Sequence, residues 1–368
     1  MSLINTVQIK NFKSVKDLSF SAKRVNVFVG KPNVGKSNIL EALSLFCAGY
    51  LKVDKKLFEE FIRLNNIRDL FYKRNSDNEI LVSTDIGDAI LSSLPFEGLY
   101  FVIDPQKAVK NKKVEFSFGL TSLANKERFY DFYDKHQESE SYKQSPLFYA
   151  IGSDTDAPVF YSSPIKRYIF TGFSSKPYPA KDSLFLLPDK FLTVPNGRNI
   201  VSMLLQHTDL LQFFAEIFKE EYGLDLVVKS PENILEIQTK DGLITNSTSI
   251  TLIADTLQRI IFYLTAIKSN TNSVLLLEEP ETNSFPTYTN MLADNIARDK
   301  SNQYFITTHS PYLLRTLLDE TPKDEIAIFV TTYKEHQTHV HSLTGDEISE
   351  LLDYDIDLFF NFKKYVEE

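Results

Sequence analysis

The sequence predicts an α/β fold with a phosphate-binding loop and an inserted α+β region, and two observations lead to this prediction. Residues 30–37 (GKPNVGKS) fit the pattern G-x-x-x-x-G-K-[ST], between a β-branched strand at 25–29 and a helix that begins near residue 38. Further along the chain, apolar strands alternate with helical patterns, as they do in parallel sheets. This strand, loop and helix context predicts a P-loop NTPase, a protein that binds a nucleoside triphosphate.

The elements follow from local apolar spacing. Residues 7–12 and 18–20 alternate like two antiparallel strands, and residues 49–184 mix strand-like runs with polar turns and one helical piece. In the remainder, the spacing predicts a helix over 199–222, strands over 224–229 and 234–239, a helix over 256–268, a strand over 273–277, a helix over 286–298, a strand over 303–307, late strands within 325–343 and a helical tail. We therefore predict a nucleotide-binding domain from 1–48 and 185–345, an inserted α+β region at 49–184, and a C-terminal helix at 346–368.

The loop residues are predicted to bind the nucleotide. Gly30 and Gly35 allow the backbone to turn so that its N–H groups converge on phosphate oxygens, and the following helix adds a positive partial charge. Lys36 would reach the terminal phosphates, and Ser37 would ligate Mg²⁺. The predicted nucleotide-binding residues are Gly30, Asn33, Val34, Gly35, Lys36, Ser37 and Asn38.

Two more polar clusters follow predicted strands. The run LLLEEPE places Glu278 and Glu279 at the carboxyl end of a buried strand, where a parallel sheet presents its ligands. Glu278 suits a metal ligand, and Glu279 suits the residue that orients an attacking water. His309 ends the next strand and could sense the terminal phosphate. Taken singly, an acidic turn or a lone histidine is more often an ordinary surface feature, but three clusters in this order favour a catalytic site.

The segments GKPNVGKS, LLLEEPE and ITTHSP, together with the opening IKNFKSVKDLSF, resemble the ABC-type ATPases of the RecF, SMC and OLD-like group, often described as AAA-family proteins. The resemblance covers residues 1–48 and 185–320, without coiled-coil arms or a C-terminal nuclease domain. It implies an ABC-type mixed sheet, use of ATP and Mg²⁺, ATP hydrolysis, and a homodimer that forms with nucleotide. It also implies the roles given above for Lys36, Ser37, Glu278, Glu279 and His309.

Two of the chain's departures from the family pattern bear directly on ATP hydrolysis. The first acid is usually aspartate, and here it is Glu278. The family's Ser-x-Gly signature corresponds to residues 254–256, Ala-Asp-Thr, without the serine or the glycine. The leading hypothesis is an ATP-hydrolysing switch that controls an effector on a separate chain, a nuclease or another protein, in DNA maintenance or phage defence. The alternative is a nucleotide-dependent scaffold with little or no hydrolysis.

Composition limits the remaining classes. The net charge of −9 over 368 residues gives no general reason to expect a nucleic-acid partner, although a lysine run at 107–113 could contact DNA. A single cysteine, Cys47, excludes an intrachain disulfide. The apolar runs are too short to cross a bilayer, so no membrane association and a cytoplasmic location are expected.

Overall fold

A computed structural model describes residues 4–46, 62–94, 98–104, 147–151, 169–173, 192, 197, 199–229, 232, 234–354 and 356–365. The lysine run at 107–113 and Cys47 lie outside the described residues. Within the described part of the chain, no helix is both long and apolar enough to span a bilayer.

The described elements are as follows. The strands are β1 (Thr6–Phe12), β2 (Val15–Ser21), β3 (Val25–Val29), β4 (Ile80–Thr84), β5 (Gly87–Leu94), β6 (Gly98–Asp104), β7 (Leu147–Ile151), β8 (Ile169–Phe173), β9 (Asp225–Lys229), β10 (Ile234–Asp241), β11 (Ile244–Ser249), β12 (Ser273–Glu278), β13 (Gln303–Thr307), β14 (Ile326–Lys334) and β15 (Gln337–Ser342). The helices are α1 (Lys36–Leu43), α2 (Ile200–Gln206), α3 (Thr208–Tyr222), α4 (Asp255–Ser269), α5 (Pro286–Arg298), α6 (Pro311–Glu320), α7 (Gly345–Asp353) and α8 (Leu358–Asn361).

The main sheet positions the predicted site. Its strand order is β15-β14-β3-β13-β12-β8, with every neighbouring pair parallel except β14 and β15. The strands that precede the phosphate loop, the carboxylates and the histidine are therefore the three neighbours β3, β12 and β13. Because parallel strands end at the same edge, all three polar segments leave the sheet on one side.

The sheet is buried on both faces, since alternate side chains of its strands enter two different apolar cores. Val27 and Ile306 face the core that includes residues of α4, α5 and α6, whereas Phe28 and Phe305 face the core that includes α1 and strands β1 and β2. In the second core, the Phe28 ring stacks on Phe329 with centroids 4.8 Å apart. Burial on both faces explains why the side chains of these strands are mostly apolar.

Strands β1 and β2 belong to a second sheet, whose strand order is β2-β1-β4-β5-β6-β7. Strands β9, β10 and β11 form a third sheet. Strands β4 to β8 come from the region 49–184, where β4 pairs with β1 and β8 pairs with β12. Strands of this region therefore pair with strands on both of its sequence flanks. The division into domains at 49 and 184 stays a prediction.

Two predicted helices are interrupted. The helix expected over 199–222 is two helices, α2 and α3, separated at His207, whose backbone is not helical (φ −108°, ψ 70°). Histidine and threonine, at the junction, are weaker helix formers than Leu205 and Gln206 before them. In the tail, α8 is a separate helix because the Asp357 side chain caps it by accepting the N–H of Phe359 at 2.8 Å.

A buried arginine anchors the start of β3. Arg24 is 1% exposed and donates to the carbonyl oxygens of Ile296, Ala297 and Asp299 at 2.6–3.0 Å, at the end of α5. Its Nε also contacts Glu325 at 2.6 Å. One side chain thus satisfies the last carbonyls of α5 and links them to β3.

The backbone at Gly30 gives a test of the fold. Its φ is +150°, and a Cβ there would lie 2.3 Å from the backbone oxygen of Thr331. We expect Gly30→Ala to lower the free energy of unfolding by about 1–3 kcal/mol, because a backbone atom cannot move aside cheaply. Gly345→Ala is the control, since nothing lies within 4 Å of its Cβ, and it should change stability by less than about 1 kcal/mol. Chemical unfolding measures both, and equal midpoints would contradict the prediction.

Candidate nucleotide-binding site

The phosphate loop has the backbone that its glycines predict. Gly35 adopts φ +98° and Asn33 adopts φ +61°, both left-handed. A Cβ at Gly35 would lie 2.0 Å from Oγ1 of Thr338, so only glycine fits there. Helix α1 starts at Lys36, and no side chain caps its N-terminus. Its first N–H groups and the positive end of its dipole therefore suit a bound anion.

Lys36 lies inside the loop. It is 4% exposed, and its Nζ donates to the carbonyl oxygens of Gly30 at 3.0 Å and Lys31 at 2.9 Å. Burial lowers the pKa of Lys36, while the nearby charges of the carboxylates that follow β12 act in the opposite direction. The predicted lysine and the predicted acids are thus electrostatically coupled.

A series of hydrogen bonds connects the phosphate loop to side chains from β15 and from the turn between β1 and β2. Asn38 Nδ2 donates to Ser14 Oγ at 2.6 Å, Ser14 Oγ lies 2.6 Å from Thr338 Oγ1, and Thr338 Oγ1 donates to the Val34 carbonyl at 2.9 Å. Two of the predicted nucleotide-binding residues, Val34 and Asn38, therefore also hold the loop in place. Sequence reasoning missed Ser14 and Thr338, because nothing in their local sequence signals the contact.

Glu278, the predicted metal ligand, ends β12 and contacts an arginine. Arg63 Nη2 lies 2.7 Å from Glu278 Oε1, while its Nε lies 2.8 Å from Oε1 of Glu41 on α1. Lys13 also pairs with Glu41, which is 4% exposed. Sequence reasoning missed Arg63, which joins α1 to the end of β12.

Glu279 and His309 lie beside each other at the ends of neighbouring strands. Glu279 has φ +42°, and its N–H donates to the Thr307 carbonyl of the neighbouring strand at 3.0 Å. Its Oε1 lies 3.5 Å from His309 Nε2. The left-handed backbone is a strained conformation for glutamate, and such strain is concentrated at functional sites.

The surroundings of His309 favour its neutral form. Burial and the positive charge of Lys36 lower the pKa of His309, and Glu279 partly opposes them. At neutral pH the imidazole therefore carries one N–H donor and one acceptor nitrogen.

Glu281 is a third acid that sequence reasoning did not assign. Its Oε1 accepts hydrogen bonds from Thr308 Oγ1 and from the N–H of His309, each at 2.7 Å. Its Oε2 is buried and has no hydrogen-bond partner among the described residues. Burial raises the pKa of Glu281.

The altered signature segment begins α4. Asp255 Oδ2 accepts from Arg259 Nε at 2.7 Å and from Asn283 Nδ2 at 3.1 Å. Thr256 Oγ1 donates to the Asn283 carbonyl at 2.5 Å. The start of α4 is therefore bonded to the loop that follows the carboxylates.

The two predicted magnesium ligands are both oxygen donors, the type that Mg²⁺ prefers. Ser37 lies in the first turn of α1 and Glu278 at the end of β12. The described residues contain no group of three His, Cys, Asp or Glu side chains that could hold a metal. Mg²⁺ beside a nucleotide usually takes only one or two protein oxygens, so a hydroxyl and a carboxylate suffice. The roles of the individual site residues stay predictions.

Residues 3–167 and 229–314, well over half the chain, match the family model of the AAA ATPase domain. The chain belongs to the AAA ATPase domain family. This confirms the predicted ATPase assignment at the level of the family, and with it the use of a nucleotide. The match includes residues 49–167, most of the region predicted as an insertion.

Two relatives match the chain, and the name of one agrees with this assignment. The chain is 19% identical over 368 residues to a protein named ATP/GTP phosphatase from Helicobacter pylori, covering 94% of this chain and 93% of that protein. It is 34% identical over 89 residues to the uncharacterized protein MJECL10 from Methanocaldococcus jannaschii, covering 22% of this chain and 41% of that protein. The chain thus matches less than half the length of the second relative.

Solved structures show the fold. The crystal structure of an SMC head bound to the C-terminal winged-helix domain of ScpA matches with a TM-score of 0.50 and 15% identity, over 93% of this chain and 98% of that one. This likeness confirms the predicted fold, an α/β P-loop ATPase fold of the kind found in SMC heads.

The charged side chains around His309 predict the direction in which its pKa should change when each of them is removed. Because the Lys36 charge lowers the pKa of His309, Lys36→Met should raise it, whereas Glu279→Gln should lower it further. NMR titration of ¹³C-labelled histidines measures both shifts, and the His309→Gln spectrum identifies the signal among the six histidines. Shifts of the same sign in both variants would mean that the three side chains do not interact as described.

Proposed function

We propose that this chain is an ATP-binding and ATP-hydrolysing switch protein whose nucleotide-dependent dimerisation controls a partner effector. The observation that carries the proposal is the 3.5 Å contact between Glu279 and His309 beside the buried Lys36, at the ends of neighbouring parallel strands. A charged lysine, a water-orienting acid and a polar side chain aimed at the terminal phosphate are what phosphoryl transfer to water requires.

Each residue has a distinct part in the proposed reaction. The loop N–H groups and Lys36 bind the β- and γ-phosphates, and the Glu279 carboxylate orients the attacking water. The neutral His309 donates its N–H to an oxygen of the γ-phosphate and so registers its presence. Ser37 and Glu278 would hold Mg²⁺, which neutralises phosphate charge when bound.

The proposal includes a second copy of the chain and a separate effector protein. The resemblance to ABC-type ATPases supports a second copy that closes over the nucleotide with the start of its α4. The SMC head to which the chain is similar binds a winged-helix domain of ScpA, and this supports a separate protein, a nuclease or another effector, as partner here. A DNA maintenance or phage-defence role rests on the same resemblance.

A nucleotide-dependent scaffold is the second candidate, and the altered signature favours it. Asp255 brings a carboxylate to the start of α4, and its bonds to Arg259 and Asn283 restrain that segment. The missing serine and glycine, together with a carboxylate that is paired with Arg259, would weaken closure on a γ-phosphate and slow hydrolysis.

Turnover separates the two candidates. We expect Glu279→Gln to lower the rate of phosphate release by about 10²–10⁴-fold while retaining ATP binding, because only the water-orienting carboxylate is lost. Lys36→Met should instead abolish ATP binding. Phosphate release and equilibrium nucleotide binding check both outcomes. Binding without release in the wild type would favour the scaffold, and no binding at all would overturn both candidates.

Nucleotide-dependent dimerisation can be tested separately by measuring the molecular mass in solution. With ATP and Mg²⁺, light scattering should give twice the monomer mass for Glu279→Gln, because nucleotide that is not hydrolysed keeps the two copies together. Lys36→Met is the matched control and should remain monomeric. A monomer under all conditions would contradict the proposed dimerisation.

A further inference from the structure

The two segments that follow β12 and β13 are bonded to each other in both directions. In one direction, the N–H of Glu279 donates to the Thr307 carbonyl at 3.0 Å. In the other, Oε1 of Glu281 accepts from the Thr308 hydroxyl and from the His309 N–H, each at 2.7 Å. The backbone of each segment is therefore held by its neighbour rather than by its own strand alone.

The hydroxyl group of Thr308 fixes the direction of its hydrogen bond to Glu281, so that Thr308 is the donor. Its side chain is fully buried, and its Oγ1 accepts the N–H of Ser310 at 2.9 Å while donating to Glu281. The hydroxyl thus uses its single proton on the carboxylate. A buried donor that loses its acceptor costs about 1–3 kcal/mol, so the segment is strongly held in this position.

The position of the Glu281 side chain lowers the stability of the folded chain. Its Oε2 is buried without a hydrogen-bond partner among the residues described, and a buried polar atom in that state opposes folding. The strained φ of +42° at Glu279 lies two residues away. Two unfavourable features in one turn are typical of a segment arranged for a reaction.

We infer that Glu281 is a positioning residue, which holds the His309 segment through Thr308 so that the imidazole stays beside Glu279. It does so through Oε1, without contacting the phosphates itself. The inference deepens the proposed function and rests on it, because it assigns to Glu281 the geometry on which the water-orienting acid and the phosphate-sensing histidine depend.

Four variants test this kinetically. Glu281→Ala should lower kcat for ATP hydrolysis by about 10- to 100-fold with little change in KM, because misplaced catalytic groups affect the reaction more than nucleotide binding. Glu281→Gln keeps the oxygen acceptor, so its kcat should stay within about threefold of wild type. Thr308→Val should lower kcat, and Thr308→Ser, the matched control, should not. Equal kcat values for Glu281→Ala and wild type would overturn the inference.

Hydrogen exchange tests the same contact without any turnover. In Glu281→Ala, the amide of His309 should exchange at least about tenfold faster than in wild type, because its acceptor is lost, whereas amides of β13 should be unaffected. Glu281→Gln should retain the protection. Faster exchange everywhere, or unchanged exchange at His309, would overturn the inference. If the wild type fails to hydrolyse ATP, the proposed function fails, and the exchange result still decides whether Glu281 holds the segment.

Discussion

The site depends on the parallel pairing of β13 between β3 and β12. In this register Glu278 lies opposite Thr307, and Thr307 lies opposite Phe28, so the three strands end in one line. The residues one or two positions further along, Glu279, Gly30 and His309, then leave the sheet together. A shift of one residue in any strand would turn its alternating side chains to the opposite core, and burial on both faces prevents this. The apolar cores thus determine the geometry of the candidate site indirectly.

Polar contacts complete what the sheet begins. Strand pairing brings the segments to one edge, but loops beyond a sheet have no ladder to hold them. Here the chain from Asn38 through Ser14 to Thr338 holds the phosphate loop, and Glu281 holds the His309 segment. These bonds support backbone conformations that would otherwise be unfavourable.

Electrostatics links these parts. Lys36 is buried, which by itself disfavours its charge and lowers its pKa, and the carboxylates of Glu278, Glu279 and Glu281 offset that effect only in part. The same lysine favours a neutral His309. Arg63 acts from the solvent side, since its side chain is 67% exposed while it bridges Glu41 and Glu278.

The sequence by itself determined the features that are local. The motif GKPNVGKS is visible in the sequence alone. The structure has the helix Pro286–Arg298 and the strand Gln303–Thr307 at the predicted positions. These features could be predicted because an N-terminal proline and runs of apolar residues act over only a few residues. Only the tertiary structure decided which distant groups meet. Arg63 and Glu278 are 215 positions apart, and Ser14 and Thr338 are 324 apart. Such contacts are set by strand order and register, which depend on how whole faces pack, and no local pattern encodes that packing.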